Sequence, residues 1–214
     1  MEYRLHNKGQ IDLASLQVTA SEQEAKTFML KRMGRIKDSL ARFLLNRFDE
    51  HGPDPLSQLK SEAKKQGLPY LHVAFLCRYF VDQFGKEGLS LLSNVLREGV
   101  VKEVVETREI LKVKAKDAIA AVRVLSYIHS CGGVRGEITE ATPIRAVRTE
   151  WFCPVKDKLN REWGENAVSL PIIEFMAKCI NPNIVVSHPK YLCGGDDRCE
   201  IVFELRNEEK VAIL

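Results

Sequence analysis

The apolar residues of this chain first change their period at Gly132-Gly133. Before that point they recur at three- and four-residue steps, the spacing that keeps side chains on one face of a helix; after it come stretches that alternate, as on a half-buried strand, with short helical ones between them. A chain patterned this way must build helices first and then fold a small, antiparallel sheet against helices, an α+β class. The reading divides the chain into an N-terminal arm over 1–20, a helical region over 21–133 and an α+β ligand-binding region over 134–214, packed as one compact unit.

The helical half is punctuated clearly. Ser21 stands three residues before Glu24, the spacing of a capping box. From there Phe28, Met29, Met33, Ile36, Leu40, Phe43, Leu44 and Phe48 form one stripe, which His51-Gly52-Pro53 should end. "PLSQLKSEAKKQG" reads as a shorter helix stopping at Gly67. The next begins near Pro69 and bends or breaks at Gly85 and Gly88, and "KAKDAIAAVRVLSYIHSCGG" is the last of the series. Beyond it, "EITEATPIRAVRTEWFC" reads as a hairpin. "PVKDKLNREWG" and "SLPIIEFMAKC" read as two short helices, and "PNIVVSH" and "CEIVFELR" as two further strands.

Composition excludes several classes. A formal charge of +3 over 214 residues lacks the basic bias of a nucleic-acid or anionic-membrane partner. "LSQLKSEAKKQGLPYLHVAFLCRYF" has helix–turn–helix spacing, but its second helix is apolar where base-reading residues would be needed, so no nucleic acid is expected. The N-terminal stretch is charged, without the apolar core of a secretory signal. The run "AIAAVRVLSYIHSC" is interrupted by Arg123 and too short to span a bilayer. A cytoplasmic protein is expected, its six cysteines reduced thiols or metal ligands. The wide apolar stripes of the helices predict a homodimer.

Chemistry concentrates in the second half. In "HPKYLCGGDDRCEIVFEL", Cys193 and Cys199 bracket a Gly-Gly-Asp-Asp turn with His188 upstream. One reading is a zinc site: both thiolates could fold back on a tetrahedral ion, with His188 and Cys179 completing the shell, although five intervening residues exceed the usual two to four. The other is a hairpin turned by Gly194-Gly195 and Asp196, its cysteines small semi-buried residues. Cys153 follows a strand and precedes Pro154 at a helix start, where amide dipoles favour a thiolate. It could attack a ring or amidine carbon with Glu174 or His188 moving the proton, or be a buried strand-end residue. Trp151 and Phe152 alternate, so one of them faces inward, and Trp151 is the expected wall of a ligand pocket. Glu174, a lone acid among apolar neighbours, is either a desolvated acid/base or, with Lys178, part of a wet face. His72, His129, Cys77 and Cys131 sit in apolar helical patterns and call for no chemistry.

From about Phe84 onward the sequence resembles the superfamily of the 4-vinyl reductase domain and the L-2-amino-thiazoline-4-carboxylate hydrolase-like proteins. The residues that carry the resemblance are "FGKEGLSLLSNVLREG", "WFCPV", "PIIEFMAKCINPNI" and "LCGGDDRCEIVFEL". It implies an α/β sensor-like fold with an interior pocket for a small, mostly apolar or heterocyclic molecule, between the sheet and "SLPIIEFMAKC". Some members sense a ligand, and others are assigned as hydrolases that add water to a C=N carbon or as reductases. In sensing members the sheet end binds zinc through an acidic residue and cysteines. Cys193 and Cys199 fall at the last two of those positions, His188 lies nearest the acidic one, and no cysteine stands near Ser169 and Leu170. Two functions follow: a C–N hydrolase using Cys153, Glu174 and His188, or a non-catalytic ligand-sensing module with a structural metal.

Overall fold

The computed structural model describes residues 11–47, 54–67, 69, 71–159, 163 and 168–206. The architecture is α+β: helices precede a four-stranded antiparallel sheet. The helices are α1 (Leu13–Leu16), α2 (Glu22–Leu45), α3 (Pro55–Lys65), α4 (Val73–Phe84), α5 (Gly88–Ile110), α6 (Ala118–Cys131) and, inserted between strands, α7 (Leu170–Ile180). The strands β1 (Arg135–Ala141), β2 (Arg145–Phe152), β3 (Ile184–Lys190) and β4 (Cys199–Leu205) lie in the order β1-β2-β4-β3. Two hairpins are thus joined through β2 and β4, with Glu150 opposite Cys199 and Arg148 opposite Ile201.

Local chemistry explains the boundaries. The Ser21–Glu24 capping box forms in both directions and starts α2. Asp117 caps α6 by accepting from the Ala120 N–H at 2.8 Å. α2 ends at Asn46, before the expected stop at His51-Gly52-Pro53, which, like Phe48, lies outside the described residues. The bend predicted at Gly85 and Gly88 is a 3-10 turn between α4 and α5. A Cβ at Gly88 would lie 2.1 Å from the Phe80 carbonyl oxygen, so the two helices meet there only because position 88 has none. α4 itself starts at Val73, a turn later than Pro69 suggested. "PVKDKLNREWG" is not a regular helix where it is described: Lys156–Lys158 form a single 3-10 turn.

Two apolar cores share the long helices α2 and α5. The first surrounds α6, whose residues from Ala118 to Ile128 are buried on every side. The sheet and α7 pack on one flank, and Phe28 and Val104 on the other. A helix apolar all round belongs in the middle of a layered structure. The second core joins the C-terminal half of α2 to α3, α4 and the start of α5, through Leu40, Leu59, Phe75, Phe80 and Leu92. Between them α2 and α5 run antiparallel and are clamped by Arg32–Glu103, Arg35–Glu106 and Arg42–Glu98 at 3.4, 3.0 and 2.7 Å. Arg32, Arg35 and Arg42 of α2 are therefore engaged with acids of α5. Met33, expected in the buried stripe, is 41% exposed and faces outward, because the stripe narrows where α2 crosses α5.

The sheet's second face carries cross-strand polar pairs: Thr139 with Thr149, Arg145 with Glu140 and Glu204, and Lys190 with Glu200. No helix among the described residues is long and apolar enough to cross a membrane.

Candidate functional site

β2 carries two unlike constellations within six residues. The first is central and faces α6. Arg148 and Glu150 are 2% and 3% exposed, and Arg148 donates through Nε to Glu150 Oε1 at 2.6 Å and through Nη1 to Ser126 Oγ at 2.9 Å. His129 Nδ1, from the last turn of α6, reaches the same Glu150 oxygen at 2.6 Å. Burial alone would raise the Glu150 carboxyl, but His129 and Arg148 more than offset it and hold it at about 2. Each buried charge therefore has a hydrogen-bonded counter-charge. Gly136 makes this approach possible, since a Cβ there would meet the Thr149 carbonyl oxygen at 2.3 Å and Glu150 Cα at 2.9 Å.

The second constellation lies at the strand's end and is made of thiols. Cys153 is the first residue after β2, Cys199 opens β4, and Cys193 sits in a 3-10 turn, Leu192–Gly194, between β3 and β4. Together with Tyr191 and Leu192 they form a small cluster of their own. Two features of the expected hairpin turn are present. Gly195 takes a positive φ of 99°, and Asp196 Oδ2 accepts the Tyr191 N–H at 2.6 Å. The turn does more than reverse the chain, because it presents Cys193 to a cysteine forty residues away in sequence.

Polarity within the cluster is specific. Hydrogen bonding from the neighbouring Cys153, and after it from Tyr191, holds the Cys193 thiol below its ordinary value against the opposing effect of burial. Hydrogen bonding with Cys193, together with burial, pushes Cys153 up. Ser169 Oγ lies 3.2 Å from Tyr191 Oη, so the two hydroxyls are hydrogen-bonded, and either can donate. Cys199 differs: it is buried, accepts the Leu192 N–H at 3.3 Å, and burial pushes its thiol up to about 12. His188 is buried with its ring edge-on to Tyr191, centroids 4.7 Å apart.

The structure thus reassigns several expectations. Cys153 belongs to the cluster, but its thiol is pushed up while that of Cys193 is held below its ordinary value, so Cys193 is the more readily ionised of the two. Glu174 is half-buried on α7 and does not figure among the partners of Cys153, Cys193 or Tyr191; the carboxylate whose charge reaches Cys153 and Cys199 is Glu150. Trp151 is no pocket wall: it is 53% exposed on the open face of the sheet, and Phe152 is 45% exposed under Arg135. Both lie where β2 runs past its helical cover. The expected cavity between α7 and the sheet is filled by Ile173, Met176, Ala177 and Ile180 packed with Ile184, Val186 and Phe203.

The expected zinc ligands are not assembled either. Cys179 packs at the end of α7 beside the start of β3, whereas Cys193 lies beyond the end of β3. A seven-residue strand, about 20 Å long, separates the two. Among the described residues no group of three or more His, Cys, Asp or Glu side chains is disposed to hold a metal ion.

Arg148, Glu150 and Tyr191 were not singled out from the sequence, and His129 was read as calling for no chemistry. Alternation in "RAVRTEWF" was the available signal, since it sets two opposite charges on the face that Ala146 buries. Larger grooves exist elsewhere. One of about 360 Å³, lined by Phe28, Ile110 and Tyr127, and another of about 620 Å³ around Val105 and Val113, contain no cysteine. No family model, curated protein or solved structure matches this chain.

Proposed function

We propose that the protein binds a small electrophilic molecule at the thiol end of its sheet and adds Cys193 to it. This follows the resemblance to the thiazoline-carboxylate hydrolases, with the nucleophile moved from Cys153 to Cys193. One observation carries the reading: Cys193 packs with Cys153 and Tyr191 in the cluster at the strand's end, and their hydrogen bonding holds its thiol below the ordinary value. Two donors around one sulfur stabilise a thiolate, the nucleophilic form of cysteine.

The chemistry suits a C=N carbon. The Cys193 sulfur forms the new C–S bond while the C=N π pair moves to nitrogen, which takes a proton from Cys153 or Tyr191. The ring C–S bond then breaks and its sulfur leaves. Water adds to the same carbon and becomes its carbonyl oxygen as the Cys193 thiolate departs. One water proton goes to the ring-derived sulfur and the other back to Cys153 or Tyr191, so that one water is added in all and both protein groups are regenerated. Buried Glu150, held ionised by His129 and Arg148, takes no proton in this scheme.

The test is conversion of 2-amino-thiazoline-4-carboxylate by the reduced full chain, followed by mass spectrometry. Wild type and Cys179→Ala should add water to it, and Cys193→Ala should not. Turnover that survives Cys193→Ala removes the reading. A stable adduct on Cys193 without turnover would favour the sensing alternative, a module that binds its ligand without converting it.

A further inference from the structure

Cys193 and Cys153 have a chemistry open to them that needs no organic ligand. Both pack in one small cluster with Tyr191, Leu192 and Cys199, and neither lies within a strand. Cys153 precedes the turn at Pro154-Val155, and Cys193 belongs to the 3-10 turn Leu192–Gly194. The short helical segment at Lys156–Lys158 packs against that turn, so the two thiols face each other across two loops. Closing a thiol–thiol contact to an S–S bond of about 2.0 Å requires the backbone to adjust by an ångström or more. Turns can accommodate that; two hydrogen-bonded strands would resist it. Cys199, the third thiol, is pinned by the Leu192 N–H at the head of a strand paired along its length with β2.

We propose that Cys153 and Cys193 form an oxidative modification site for hydroperoxides, with Cys193 the attacked sulfur and Cys153 the resolving one. The inference rests on the assignment of Cys193 as the thiolate, and it adds a means of silencing that thiolate.

The steps balance with one equivalent of peroxide. The Cys193 thiolate attacks one peroxide oxygen, the O–O bond breaks, and Cys193 becomes a sulfenic acid while hydroxide leaves and takes up a proton. The Cys153 sulfur then attacks the sulfenic sulfur, its thiol proton passing to the departing hydroxyl, which leaves as a second water. Two thiols lose two electrons in all, peroxide gains them, and a disulfide remains. Tyr191, already donating to Cys193, can pass its hydrogen bond to the departing oxygen in the first step. In the oxidised form Cys193 has no free thiolate and cannot add to a ligand.

The reduced full chain is treated with one equivalent of hydrogen peroxide and mapped by non-reducing peptide mass spectrometry. A Cys153–Cys193 cross-link reversed by dithiothreitol is expected. In Cys153→Ser the same treatment should leave a sulfenic acid on Cys193 that dimedone captures. A Cys193–Cys199 link, oxidation that spares Cys193, or cross-linking only between chains overturns the proposal. The wild-type map decides the matter even if the variant folds poorly. Conversion of 2-amino-thiazoline-4-carboxylate is measured separately on protein held in dithiothreitol. A disulfide without turnover then counts against the proposed hydrolysis alone, and turnover without a disulfide counts against the oxidation alone.

Discussion

The middle and the end of β2 place polar groups only a few residues apart, with opposite results. At the middle, Arg148, Glu150, His129 and Ser126 satisfy one another completely, and burial makes that satisfaction obligatory. At the end, Cys153, Cys193 and Tyr191 share weaker bonds in a half-open setting, and the imbalance among them holds the Cys193 thiol below its ordinary value. Helical cover accounts for the difference. Above Arg148 lies α6, buried on every side, whereas at Trp151 the strand emerges into solvent. Full cover forces charges to pair and removes their chemistry, while partial cover lets a thiol be activated and reached.

The sharpest way to break the comparison is to remove one charge from the middle. Arg148→Met should destabilise the fold by about 3–5 kcal/mol, the usual cost of leaving a buried partner uncompensated. Arg148→Met combined with Glu150→Leu should recover much of that loss, because no lone charge then remains. Chemical denaturation of the two variants checks both outcomes, and additive losses would show that the pair is not coupled.

Acid acts on the same network. The Glu150 carboxyl is held at about 2 against an ordinary 4.5. Its contribution is therefore fully present above about pH 4.5 and is lost as pH falls from there toward 2. A depression of that size corresponds to roughly 3 kcal/mol. Wild type should lose stability steeply across that window. The Arg148→Met, Glu150→Leu double variant should show a flatter profile there, and equally steep curves would assign the acid sensitivity to other groups.

Gly136→Ala tests the backbone beneath the network with a smaller expected effect, about 1–3 kcal/mol, the range for overpacking. The added methyl group would press on the Thr149 carbonyl oxygen and Glu150 Cα, so β1 must shift away from β2. A melting temperature equal to wild type would mean that the edge strand moves freely.

Much of the fold was legible in the sequence, because its periods and breaks are local. The capping box at Ser21, the bend at Gly85 and Gly88, the hairpin around Thr142-Pro143 and the two last strands all stand near their expected places. The candidate site was legible only in part, because it depends on register and on what covers each face. Cys153 and Cys193 were both visible as candidates, but their contact follows from β2 pairing with β4 rather than from either local pattern. Trp151 obeys strand alternation and still points to solvent, since alternation does not reveal how far the helical cover extends. Cys179 shares a short span of sequence with His188 and Cys193, yet α7 and β3 carry it to the far end of the sheet.

The smallest predicted effect is at the end of the strand, and it separates the two regions most cleanly. Cys153→Ala removes the first of the two donors to Cys193 and leaves Tyr191 in place. A single hydrogen bond is worth about 1 kcal/mol net, and an S–H donor is a weak one, so the thiolate population of Cys193 below its titration midpoint should fall by about fivefold at most. The rate of iodoacetamide alkylation at Cys193, followed by peptide mass spectrometry across a pH series, should shift its midpoint upward in Cys153→Ala while stability changes by about 1 kcal/mol or less. An unchanged midpoint would mean that Tyr191 alone sets the thiolate. A loss of stability like that of Arg148→Met would mean that the strand's end is as much a part of the core as its middle, and the contrast between them would disappear.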